Sequence, residues 1–144
     1  MHIKLIKLSI SERGIIMLDE RQIKILVDEL TSIASLRNSA QCTYEKVEHK
    51  FNERKANGAD IDELNRLDSQ IDITWGDYEL YEDRLHTNAQ LLRRVFGIDV
   101  QWIENAYGYI TKIKIYPTPH IKDTIEVEIH LQGYINRWIE SEKK

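Results

Sequence analysis

Apolar residues recur from Ile23 in alternating steps of three and four: Ile23, Leu26, Leu30, Ile33, Arg37, Ala40, Tyr44, Val47 and Phe51. Only Arg37 interrupts the apolar run. A period of 3.5 held for about four heptads selects an α-helix with one continuous stripe, and it excludes a strand, whose period is two. Such a stripe must be buried against something of the same shape. The partner follows in the chain. Ile61, Leu64, Asp68, Ile71, Trp75, Tyr78, Glu82, Leu85, Ala89, Leu92 and Phe96 keep the same rhythm, with Asp68 and Glu82 as the polar members.

The ends are marked. Asp19 is suited to an N-cap, Gln22 completes a capping box, and Leu18 with Ile23 forms a hydrophobic staple. Asp60 and Glu63 repeat this pattern. Arg54, Lys55, Arg93 and Arg94 sit where basic side chains complement a helix C-terminus, and Gly58 and Gly97 suit the left-handed residue that follows. These signals predict helix 1 over 19–57 and helix 2 over 60–96, each about 54 Å long. A turn at 56–59 leaves an antiparallel, coiled-coil-like hairpin as the arrangement. With Phe51 opposite Leu64, Arg37 falls within about one turn of Glu82. An ion pair is expected there, fixing register.

After Gly97 the period changes to two. Ile98, Val100 and Trp102 alternate with polar residues, and Asn105 to Gly108 reads as a turn. Strands follow at 109–116 and 124–131, joined by the Pro-containing loop 117–123. Placing Ile113 opposite Val127 sets Lys114 against Glu126 and Lys112 against Glu128, so apolar and charge matching agree on one register. Residues 134–139 form a short terminal helix or an added strand. The expected fold is α+β: a long helical hairpin, a small antiparallel β-meander over 98–144 and a short C-terminal element, all one domain from residue 17 to 144.

Residues 1–16 admit two readings. Codons for Glu12-Arg13-Gly14 can be purine-rich, and Met17 follows at the spacing of a bacterial start codon. Residues 1–16 are then a translated leader, or else they supply an extra strand. Residues with AT-rich codons outnumber those with GC-rich codons by about two to one, which points to an AT-rich genome such as that of a phage or mobile element.

Composition narrows function. The net charge is −4, with 42% hydrophobic and 31% charged residues, a globular balance without the basic excess of a nucleic-acid binder. No apolar run approaches the ~18 residues that span a bilayer. A single cysteine, Cys42, excludes an internal disulfide and suits a reducing compartment. A cytoplasmic protein that does not bind nucleic acid directly is expected.

Catalytic signatures are absent. Cys42 reads as an outer helix position, with His49 two turns away and too far to act as its base. Glu126, Glu128 and His130 share a strand face, but Lys112 and Lys114 lie opposite and make it a solvated face rather than a metal site. No phosphate-cradling loop, nucleophile elbow or zinc motif occurs. No enzyme activity, cofactor or metal is expected.

What remains is surface. Leu36, Ile73, Leu80 and Tyr81 lie off the seam. A strand of eight residues reaches about 27 Å, half the hairpin, so these side chains predict self-association, most simply as a dimer. Trp102, Tyr107, Tyr109, Tyr116, Tyr134 and Trp138 crowd the C-terminal third. Tyr107 and Tyr116 beside the loops, with Asp60, Asp62 and Glu63 at the hairpin tip, are the candidate partner contacts. The expected function is a non-enzymatic protein-binding module, an inhibitor of a host enzyme or defence system (anti-CRISPR-like) as the concrete form. Nucleotide or small-ligand binding on the sheet aromatics, and assembly of a virion or scaffold, are the alternatives.

Overall fold

The computed structural model describes residues 9–10, 16–116 and 124–142. A two-residue antiparallel pair, β1 (Ser9–Ile10) with β2 (Ile16–Met17), leads into α1 (Glu20–Ala56) and α2 (Ile61–Phe96). Then come β3 (Asp99–Glu104), β4 (Ile110–Tyr116), β5 (Ile125–Glu128) and α3 (Gly133–Glu142). The α+β architecture expected from periodicity is the one observed. The leader question, and the 117–123 loop with His120, fall largely or wholly outside the described residues.

The capping box of α1 is complete: Gln22 N–H donates to Asp19 Oδ1 at 2.8 Å, and Asp19 N–H donates to Gln22 Oε1 at 2.9 Å. The helix stops at Asn57, and Gly58 adopts φ 78°. Asp60 caps α2 by accepting from Glu63 N–H at 2.8 Å. The reciprocal bond is replaced. Glu63 Oε1 accepts from Arg54 Nε at 2.8 Å across the turn, because a guanidinium is a stronger donor to a carboxylate than a peptide N–H.

Leu26, Leu30, Leu85, Leu92 and Phe96 lie buried along the seam. Three seam positions are corrected. Ile61 and Trp75, expected inside, are 70% and 43% exposed toward the free end of the hairpin. Leu67 is buried and Asp68 is exposed, so the second helix turns Leu67 inward and avoids burying an unpaired carboxylate. The sheet, in order β3-β4-β5, covers the half of the hairpin nearest Phe96. Ile113 pairs with Val127, Lys114 with Glu126 and Lys112 with Glu128, the register expected from side-chain matching.

The first strand pair carries an irregularity at Ile103/Glu104, where Glu104 pairs with Ile110. A bulge shifts alternation by one residue. Ile110 therefore joins Ile113 and Ile115 in the core while Thr111 stays half-exposed. Asn38 of α1 bonds the backbone of Ile110 as well. Its Nδ2 donates to Ile110 O and its Oδ1 accepts from Ile110 N–H, both at 2.9 Å.

On the other flank of α1, a second core forms from Cys42, Tyr109, Ile135 and Ile139. Cys42 is fully buried rather than outward-facing, because α3 and the chain entering β4 pack on a second side of α1. No helix among the described residues is long and apolar enough to cross a membrane.

Candidate functional site

The most densely bonded side chain described is Arg37, the one polar residue in the first seam. Nε donates to Glu82 at 2.6 Å. Nη1 donates to the Gly108 carbonyl at 2.7 Å and to Gln41 Oε1 at 3.1 Å, and Nη2 donates to Glu104 at 2.9 Å and to the Tyr78 hydroxyl at 3.1 Å. The guanidinium also lies 5.2 Å from the centre of the Tyr78 ring. Its side chain is 3% exposed. One residue therefore ties α1, α2, β3 and the β3–β4 turn together.

The electrostatics follow from that geometry. Burial by itself would raise the Glu82 pKa, but the hydrogen bond and charge of Arg37, assisted by His86 at 3.1 Å, hold it below the usual carboxylate range. Burial raises the Tyr78 hydroxyl. A guanidinium offers neither a nucleophile nor a transferable proton, and its donors are committed within the chain. The cluster fixes the hairpin on the sheet, with the guanidinium as its structural centre.

Cys42 is fully buried. Burial raises its pKa, which disfavours the reactive thiolate. Tyr109 above it is fully buried and donates to Glu45 at 2.6 Å.

The aromatic side chains of the C-terminal third divide by role. Trp102 stands edge-on to His86, Tyr134 reaches Ser39 and Trp138 packs edge-on against His49. Tyr107 is 38% exposed. It borders a cleft of about 430 Å³ between α1 and α3, with Trp138, Glu45, Glu48 and Glu142 in its walls. Those carboxylates oppose any phosphate-bearing ligand there. Tyr116 is half-buried at the other end of β4, so the two tyrosines do not form one surface.

Asp60 and Asp62 are exposed at the hairpin tip, remote from both tyrosines, and Glu63 is half-buried on Arg54. Of the expected self-association residues, Leu36 and Tyr81 border one hollow between α1 and α2, while Ile73 and Leu80 are 65% and 47% exposed on α2. Lys112 and Lys114 both reach Glu126, at 3.6 and 3.7 Å. No His/Cys/Asp/Glu group with metal-binding geometry occurs among the described residues.

Three residues central to the observed network, Asn38, Gln41 and Glu104, carried no signal in the periodicity. Asn38 and Gln41 sit off the seam, on the side of α1 that meets the sheet.

No protein-family model matches the chain, no curated protein matches it and no solved structure matches it. The arrangement of its own residues is thus what speaks to function.

Proposed function

We propose that the chain is a non-enzymatic protein-binding module, with the free arm of the hairpin as its contact surface. The observation that carries this reading is the bareness of the arm. From Ile61 to Thr74 the bonds and ring contacts described for α2 stay within the hairpin. Ile61 is nonetheless 70% exposed and Ile73 65% exposed. Apart from Leu67, which is 1% exposed, this arm of about 21 Å adds little to the monomer's core and is stabilised only weakly by packing. A partner would bury those side chains and draw on the acidic Asp60, Asp62 and Glu63 for specificity.

The Arg37 cluster supports the same reading. It holds the hairpin at one angle to the sheet, so the arm is presented pre-organised and a partner does not bear the cost of ordering it. An inhibitor encoded by a phage or mobile element, acting on a host enzyme or defence system, is the concrete form we propose. The acidic tip and the residue usage of the chain fit it.

The test is affinity capture from a lysate of the native host by immobilised full chain, against a variant carrying Asp60→Lys, Asp62→Lys and Ile61→Glu. A protein retained by the wild type and lost from the variant is expected. A partner held equally by both would refute the arm as contact surface.

A further inference from the structure

A second row in three-four rhythm runs down the outer side of α2 through Ile73, Asp77, Leu80, Arg84, Thr87 and Leu91, every member exposed. Ile73 is 65%, Leu80 47% and Leu91 37% exposed. The row spans about 27 Å. Such spacing is that of a helix seam, yet among the described residues no element covers it.

Beside the row lies the hollow between α1 and α2. It is bordered by Leu36, Ala40, Thr43, Thr74, Asp77 and Tyr81 and encloses about 280 Å³. Ala40, Thr43 and Thr74 contribute small side chains to its lining. One surface thus carries both a projecting knob, Leu80, and a hole. That self-complementarity is what a two-fold interface between identical chains requires.

Charge selects the register. Neither Asp77 nor Arg84 forms an ion pair among the described residues; Arg84 lies 5.8 Å from the Tyr81 ring centre. The two are seven residues apart, about 10.5 Å along one helix, too far to pair with each other. In an antiparallel pairing that sets Leu80 opposite the partner's Asp77, Arg84 stands opposite the partner's Ile73. Each Asp77 then lies one layer, about 6 Å along the axis, from the partner's Arg84. Two symmetric ion pairs flank the axis, and each Leu80 enters the other chain's hollow.

We infer that the protein pairs with a second copy of itself through this row, α2 antiparallel to α2, with Leu80 as knob and Asp77–Arg84 as the intermolecular ion pairs. The inference rests on the protein-binding reading and deepens it by naming one partner: Ile73 goes to the second copy, and Ile61 with the acidic tip stays free for another.

Sedimentation equilibrium of the full chain tests it. The wild type dimerises in the micromolar range. Leu80→Asp weakens the dimer by about 100-fold or more, as loss of a central buried anchor does, with unchanged far-ultraviolet dichroism. Arg84→Asp weakens it by about 10-fold, since it sets two carboxylates against each other. Combining Asp77→Arg with Arg84→Asp restores opposite charges and recovers association to within about 3-fold of the wild type. A wild type that stays monomeric at about 100 μM, a dimer indifferent to Leu80→Asp, or a double reversal as weak as the single change would each overturn the pairing. A monomeric chain that still captures a host protein through its tip would leave the protein-binding reading intact.

Discussion

Arg37 meets Glu82 at 2.6 Å across the helix seam, with the arginine side chain 3% exposed and Glu82 25% exposed. A charge buried to that degree is tolerated only because its donors find acceptors, and here they come from three further parts of the chain. Removing the cation strands Glu82 beside a buried gap, while Glu104, 42% exposed, turns to water. Arg37→Met is expected to cost about 3–5 kcal/mol, and Glu82→Gln less, because Glu104 and the Gly108 carbonyl continue to receive the guanidinium. Urea unfolding of both variants checks the order. A Glu82→Gln variant less stable than Arg37→Met would contradict it.

The depressed Glu82 pKa gives acid sensitivity a definite sign. Because the folded protein ionises Glu82 below its ordinary value of 4.5, the unfolded chain binds the proton more readily. This contribution to stability is complete above pH 4.5 and is lost as pH falls through the folded pKa. Thermal melts between neutrality and pH 3 should show a shallower acid slope in Glu82→Gln than in the wild type. Equal slopes would remove Glu82 as a cause.

At alkaline pH the sign reverses. Burial, then the bonded Glu45 carboxylate, push the Tyr109 hydroxyl far above its ordinary 10.0. Its contribution is complete below pH 10 and is lost as pH rises. Tyr109 should resist phenolate formation until the protein unfolds, which ultraviolet titration reads directly. Tyr109→Phe should unfold less steeply with alkali.

The hairpin, its caps, its stops, the β4–β5 register and the Arg37–Glu82 pair were legible because each rests on local spacing. What escaped depends on a second packing partner. Cys42 lies off the α2 seam, so periodicity places it outside, yet α3 and Tyr109 close over it. Ile110 reads as outward by strand parity, and only the bulge turns it in. Asn38 became visible as the side chain that serves Ile110 once that bulge was known. Tyr107 is exposed but Tyr116 is half-buried, and the length of β4 lies between them.

Asn38 therefore offers a sharp test. Asn38→Ala takes both amide bonds from the buried N–H and carbonyl of Ile110, each at about 1–3 kcal/mol. A total loss of about 2–6 kcal/mol is expected by chemical denaturation, and Asn38→Asp should recover only the N–H bond and so fall between. A loss under about 0.5 kcal/mol would mean that the bulge does not depend on this amide.

Two glycines should respond in opposite directions. Gly76 lies mid-helix with nothing within 4 Å of where a Cβ would stand, so Gly76→Ala should stabilise the monomer by about 1 kcal/mol. Gly108 has φ 84°, and a Cβ there would meet Gln41 Nε2 at 3.2 Å. Gly108→Ala should destabilise by about 1–2 kcal/mol from backbone strain alone. Thermal melts at dilute concentration separate the two.

Hydrogen exchange on a captured complex addresses the binding surface most directly. Backbone amides over 61–74 in the free chain belong to a lightly packed arm and should exchange faster than those near Arg37. On binding a host partner, protection should appear over 57–74 and leave the Tyr107 cleft and α3 unchanged. Protection confined to Tyr107 and α3, with 57–74 still exchanging at the free rate, would contradict an arm-mediated contact.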